Sequence, residues 1–401
     1  MADIFPIEIN PKSQPIECAV DKPAEQRARV NVGTELDEDV YFSAVIEKRI
    51  NPYIGTDVKE YLSRLPYIIP DFSNLDGILV EDTNWSYRFQ VVFRNISDNT
   101  SLGATLNRII TNQRLNHFEY DKYLEKVPFG LYAEYPTPSP LKFADQHDDL
   151  ILNNFWSFHN ENDITMQDIP YNLALKGAPL WINLGNTGNA RTYDFRQRQW
   201  ESNKTTQVVA TSTVTENLIM GSGYTYFADR NYLEDNPKYV QFLIGNMSWE
   251  ADWRHCIFEY VEPCESSVQL YWENRRGGID FYPMKGLVIE QKSIKKESYR
   301  TQERVLTADG FTGSTTTNIN PIYNTEVTRQ FKLNSGYVSE EKARYLFDSI
   351  MESPNAWLWV HSEQKAYAVD VKDTVYEYKN FKKDKMFTYS FIVEQQHKYY
   401  A

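Results

Sequence analysis

The chain has 401 residues, 41% of them hydrophobic and 24% charged, enough for two or three domains with cores of their own and too apolar for a wholly disordered chain. Its 14% aromatic content, from 28 Tyr, 21 Phe and 9 Trp, favours β structure and broad contact surfaces over a helical bundle. The net charge of -13 sits in residues 1–280, at -15, because residues 281–401 hold 17 Lys+Arg against 15 Asp+Glu; an acidic body speaks against sequence-reading nucleic-acid binding, though not against a wall past which DNA slides.

Along the chain, "RARVNVGTEL" and "VYFSAVIEKRI" read as strands, and "DVKEYLSRL" as a short helix closed by Pro66. In "NWSYRFQVVFRNIS", Trp85, Tyr87, Phe89, Val91 and Phe93 share one face of a period-2 pattern, the mark of a half-buried antiparallel sheet. The stretch "SLGATLNRIITNQRLN" reads as a helix through Leu102, Leu106, Ile109 and Ile110, or as a strand and loop. Pro128, Pro136, Pro138 and Pro140 mark a boundary. Short strands follow in "GAPLWINLG", "TQVVATSTVTENLIMG", "YTYFAD", "YVQFLIG" and "HCIFEYVEP", with "LGNTGNA" as a hairpin corner, a pattern that suggests a sandwich or barrel.

The last third is the most regular. "LVIEQKSIKKESYR" and "EVTRQFKLNSGYV" are strands flanking a small-residue loop, 307–321, expected to be flexible. Ser339 caps a helix with Glu340 and Glu341 in its first turn, and Ala343, Leu346, Phe347, Ile350 and Met351 form its apolar face. Pro354 ends the helix, and "AWLWVHSE", "AYAVDVKDTVYEYKN" and "KMFTYSFIVEQQHKYY" complete a sheet-plus-helix module. The expected fold is therefore mainly β with an α+β C-terminal module: several antiparallel, sandwich-like sheets and few helices. The expected divisions are an N-terminal arm (1–30), a β-rich domain with short helices (31–135), a central β domain (141–290) and the C-terminal domain (291–401).

Chemistry-bearing motifs are scarce. The six histidines have no HxxH, HExxH or HxH spacing, and "DQHDD" at 145–149 lacks the glycine of a cation loop. There is no G-x-S-x-G, P-loop or Rossmann fingerprint. No catalytic, cofactor-binding or metal-binding residue is assigned, no cofactor is expected, and the chain reads as a non-enzyme. Cys18, Cys256 and Cys264 form no CxxC and read as reduced thiols, with a Cys256–Cys264 approach across a hairpin left open. The start "MADIFPIEIN" has neither the basic nor the apolar region of a signal peptide, and no run approaches the ~18 apolar residues of a membrane span, so synthesis in a cytoplasm without membrane insertion is expected.

"SSVQLYWENRRGGIDFYPMKG" (266–286) reads as two strands around a turn in which Gly277 and Gly278 supply positive φ angles. Together with "LNSGYVSEEKARYLFDSIMESPNAWLWV", "AYAVDV" and "YSFIVEQQHKYY", it resembles virion tail and neck proteins of phages infecting Bacteroidota, above all the tail hub or ring components of short-tailed, crAss-like phages. The resemblance covers about residues 255–401. It rests on a W-x-N-x-x-G-G hairpin matched by Trp272, Asn274, Gly277, Gly278, Ile279 and Phe281. It implies a homo-oligomeric ring in the virion around a channel that passes double-stranded DNA during ejection, with portal, neck or other tail proteins as partners. Interface candidates are Arg275, Arg276 and Trp272 at the hairpin, Trp357 and Trp359 (core or interface), and Lys382, Lys383 and Lys385 (a solvated turn or a partner contact). The alternative from another class is a tail-associated carbohydrate-binding adhesin or depolymerase. A cell-envelope binding protein would require export.

Overall fold

A computed structural model describes residues 8–11, 17–21, 27–33, 40–47, 53–58, 70, 72, 79–82, 85–102, 106–112, 114, 149–153, 159–160, 172–186, 191–200, 207–218, 222–228, 238–246, 254–299, 305–307, 310–312, 320, 322–372, 386–396 and 399–400. The protein is mainly β, with strands numbered β1 to β27 along the chain and, among the described residues, one α-helix. It divides into two compact units: residues 1–262 with 273–281, and residues 263–272 with 282–401. These divisions differ from the proline-rich boundary and the break near 290 expected from sequence; residues 128–140 lie outside the described set.

In the first unit, a five-stranded sheet runs β1 (Glu8–Pro11), β8 (Leu106–Thr111), β7 (Ser86–Arg94), β3 (Arg27–Gly33), β4 (Val40–Glu47). Its core follows from alternation: Ala28, Val30 and Val32 of β3 and Phe89, Val91 and Phe93 of β7 are buried together, with Tyr87 and Ala44 packed against them. Leu106–Thr111 is a strand, not the helix that its apolar spacing also permitted. It pairs antiparallel with β7 and parallel with β1, and cross-strand pairing outweighs the local pattern. Strands β2 (Glu17–Asp21) and β5 (Tyr53–Asp57) pair within the expected N-terminal region. The short helix expected at "DVKEYLSRL" falls almost wholly outside the described residues, which include Asp57, the last residue of β5, and Val58 of it.

Two more sheets complete this unit. One runs β6 (Leu79–Asp82), β15 (Ser222–Phe227), β12 (Trp181–Asn186), β9 (Asp149–Ile151). The other runs β10 (His159–Asn160), β17 (Arg254–Val261), β16 (Tyr239–Asn246), β13 (Arg191–Trp200), β14 (Gln207–Leu218), with β11 (Asn172–Leu175) on β17. They meet through aromatic rings. Tyr226 of β15 contacts Phe195 of β13 at 5.2 Å between centroids and Phe242 of β16 at 5.8 Å. "LGNTGNA" is thus no hairpin corner: β12 and β13 on either side of it belong to different sheets. Gly185 lies inside β12, in register with Gly223 of β15, and the buried Trp85 indole rests on both.

The second unit is built on a sheet ordered β19 (Ile279–Pro283), β18 (Val268–Glu273), β24 (Ala356–Val360), β25 (Lys365–Val371), β26 (Met386–Gln395), β23 (Ile322–Ser339), β20 (Ile289–Ser298). The tip of the β18–β19 hairpin, residues 273–281, groups with the first unit. Strand β27 (Tyr399–Tyr400) pairs β23, while β21 (Val305–Thr307) and β22 (Gly310–Thr312) form a small hairpin that reaches from the preceding residues into the stretch expected to be a loop. Helix α1 (Glu340–Met351) begins as the sequence predicts. The Ser339 side chain accepts from the Lys342 N–H at 3.3 Å. Ala343, Leu346 and Ile350 are buried, and the Phe347 ring meets Tyr389 of β26 edge-on at 5.4 Å. Ser339→Ala should cost about 1 kcal/mol by losing this cap, measured as a lower urea midpoint with an unchanged m-value.

Lys342 is set in the first turn with its Nζ 5.4 Å from the Tyr282 ring centroid. Desolvation, aided by the charge of Lys285, lowers its pKa to about 8 from an ordinary 10.5. A lysine depressed in the folded state leaves the unfolded chain binding more protons between these values, so its contribution to stability rises as pH climbs from about 8 towards 10.5. The difference in melting temperature between the wild-type chain and Lys342→Met should therefore move in favour of the wild type over that range. A pH-independent difference would contradict it.

Candidate functional site

The hairpin tip Glu273-Asn274-Arg275-Arg276-Gly277-Gly278 is a buried clasp. Asn274 organises it: its backbone N–H donates to the Gly278 carbonyl (2.9 Å), and its own carbonyl accepts from the Gly277 N–H (3.2 Å). Its Oδ1 accepts from the N–H groups of Arg276 (2.9 Å) and Gly278 (3.1 Å), and its Nδ2 donates to the Leu152 carbonyl (2.8 Å). An asparagine is suited to this because one side chain carries both an acceptor and a donor. The two glycines have different reasons. Gly277 has φ +83°, and a Cβ there would sit 2.6 Å from the Asn112 carbonyl oxygen. Gly278 has no positive φ, which corrects the expectation of a matched pair; instead a Cβ would come within 2.9 Å of the Leu152 backbone.

Three further buried asparagines hold the tip. Asn183 of β12 accepts the Ile279 N–H at 2.9 Å through Oδ1, and its Nδ2 donates to Thr225 Oγ1 at 2.8 Å. Asn153 donates to the Ile279 carbonyl at 2.8 Å and accepts the Asn183 N–H at 2.5 Å. Asn112 donates from Nδ2 to the Gly277 carbonyl at 3.5 Å, and its N–H donates to the Trp85 carbonyl at 2.8 Å. Arg114 clamps the other side, donating its backbone N–H to the Arg275 carbonyl (2.7 Å) and Nη2 to the Glu273 carbonyl (2.9 Å), with Nε 3.7 Å from the buried Glu273 carboxylate. Phe281 enters the aromatic core of this unit, stacked on Phe258 at 5.7 Å and edge-on to Trp181 at 6.4 Å. The clasp fixes backbone, and its polar groups face one another.

The sequence-nominated interface residues separate accordingly. Arg276, Trp272 and Trp359 are buried within the single chain, Trp272 donating its Nε1 hydrogen to Ser349 Oγ of α1 at 2.7 Å. Arg275 and Trp357 are half-buried. Lys382, Lys383 and Lys385 lie outside the described residues, as does "DQHDD" except for Asp149. Asn112, Asn153, Asn183 and Arg114 carry no motif in the sequence. Asn183 alone leaves a trace, a polar residue between apolar neighbours in "PLWINLG". Cys256 and Cys264 are both free. Burial pushes the Cys256 thiol up, whereas hydrogen bonds from Ser266 and Ser267 lower that of exposed Cys264. Among the described residues no group of three or more His, Cys, Asp or Glu side chains could hold a metal ion, and no helix is long and apolar enough to cross a membrane.

The surface carries a second feature. Ten large hydrophobic residues are exposed among the described residues, and seven of them (Leu287, Ile289, Ile294, Tyr299, Ile322, Tyr323, Tyr337) lie on or beside the paired strands β20 and β23. β20 is exposed along its length, and β23 pairs with β26 only from Gln330 onward. Charge laces the ribbon. Arg329 makes a two-pronged contact to Glu290 at 2.7 and 3.0 Å, reaches Glu363 at 2.5 Å, and stacks on Phe331 at 4.8 Å. At one end the exposed rings of Tyr299 and Tyr323 meet at 6.1 Å. No protein-family model matches the chain, and a search of curated proteins found no match.

Proposed function

We propose that the chain is a structural component of a bacteriophage tail or neck, a tail hub or ring subunit that assembles as a homo-oligomer around the DNA channel and docks portal, neck or other tail proteins. The observation that carries this reading is the concentration of exposed apolar side chains on the β20–β23 ribbon, inside the region that resembles such proteins in sequence. A concentration of exposed large apolar side chains favours an interaction site, and an assembling subunit covers it. The charge of -15 over residues 1–280 supports the same reading, since an acidic wall passes DNA without gripping it.

The test is the mass and shape of the purified protein by light scattering and negative-stain microscopy over a wide concentration range, with and without a portal protein. Rings are expected. A monomer under every condition, and its absence from purified virions, defeats the proposal. The exposed Tyr299–Tyr323 pair favours a second reading, carbohydrate binding by a tail-associated adhesin or depolymerase. Glycan-array binding that Tyr323→Ala abolishes would support it, and silence on the array would remove it.

A further inference from the structure

β20 is an edge strand whose partner among the described strands is β23, and all ten of its residues but Glu297 are exposed. An edge of this length presents unpaired N–H and C=O groups along one side and is a template for another strand. We propose that β20 pairs antiparallel with β20 of a second copy of this chain, about a two-fold axis through Ser293, and joins the two sheets into one.

The occupant follows from the charge pattern. Continuing a sheet across a two-fold axis keeps each face continuous, so a residue of β20 opposes only residues of its own alternation class. Of the four such registers with the longest overlaps, centring on Lys292 sets Lys292 against itself, centring on Ile294 sets Lys292 against Lys296, and centring on Lys295 sets Lys295 against itself. Like charges directly opposite are destabilising. Centring on Ser293 alone has no like-charge pair. It overlaps nine residues, sets Glu290 against Lys296 twice, Gln291 against Lys295 twice and Lys292 against Ile294 twice, and covers Ile294, which is 56% exposed in the single chain. Lysines on an edge usually prevent pairing. Here they exclude the neighbouring registers and leave one.

The contact is isologous and closes on itself, so it goes beyond the ring reading: a cyclic ring needs a different, head-to-tail surface. Cysteine cross-linking of the full chain reads the register. In a Cys18→Ser, Cys264→Ser background, which leaves the buried Cys256 and sets the baseline, Ser293→Cys should form a disulfide-linked dimer under mild oxidation, because residue 293 faces itself. Gln291→Cys alone and Lys295→Cys alone should not cross-link, whereas their mixture should. Lys296→Glu should weaken dimerisation about tenfold through two new Glu–Glu pairs, and its mixed dimer with the wild-type chain, which has one such pair, should be of intermediate strength.

Failure of Ser293→Cys to cross-link, with circular dichroism and melting unchanged, overturns the proposal. So does cross-linking of Gln291→Cys alone, which would mean another register. Rings without the 293 cross-link would sink this contact and keep the ring reading. The cross-linked dimer without rings would do the reverse.

Discussion

Replacing Asn274 with Ala is expected to destabilise the first unit by about 3–5 kcal/mol, read as a loss of its denaturation midpoint. The side chain is buried and satisfies three backbone groups: the N–H groups of Arg276 and Gly278 and the carbonyl of Leu152. Each orphaned buried group costs about 1–3 kcal/mol, and alanine supplies no partner to any of them. Asn274→Asp separates the two halves of the role. It keeps an acceptor for both amides but places a carboxylate oxygen against the Leu152 carbonyl, so it should recover stability as acid protonates it, which the alanine variant does not. Equal stability of Asn274→Ala and wild type would mean that the clasp is not what holds the tip.

Trp85→Ala is expected to cost about 3–5 kcal/mol through the cavity left where the indole covers Gly185 and Gly223. Gly185→Ala should cost about 1–3 kcal/mol for the opposite reason, since its Cβ would press into the indole, 2.7 Å from Trp85 Cη2, and force the ring from its seat. The informative measurement is the double variant. With the indole gone the three ring atoms that crowd a methyl at 185 are gone too, so the two losses should fall short of their sum by about 1–3 kcal/mol. Strict additivity would show that the ring and the glycines do not share a site.

The strands that alternate cleanly were legible, and the reason is local. In β3 and β7 every second residue is apolar and buried or, at Tyr87, partly buried, and in α1 the cap, the apolar face and the terminating Pro354 stand within sixteen residues. Where a pattern fits two periods, as at Leu106–Thr111, the decision belongs to the partners β7 and β1, which the local sequence does not show. The glycines of "LGNTGNA" read as punctuation because glycine usually marks turns, yet Gly185 is there to seat an indole from far upstream. The clasp was hidden for the same reason. Asn153 and Ile279 are 126 positions apart, and nothing near Asn153 announces a polar role. The WENRRGG stretch was recognisable as a turn, but not as one whose arginine at position 276 is enclosed.

The membership of residues 273–281 in the first unit sets a timetable for synthesis. A ribosome that has released residues 1–262 has not yet supplied the nine residues that Asn153, Asn183 and Arg114 are placed to receive. Phe281, the ring stacked on Phe258, emerges last. Final closure of the N-terminal core therefore waits for the chain to leave that unit and come back, a late step with long sequence separation. A polypeptide cut at residue 262 is then an unfinished domain with an open seat in its core, and the tip peptide supplied in trans is the natural ligand for it.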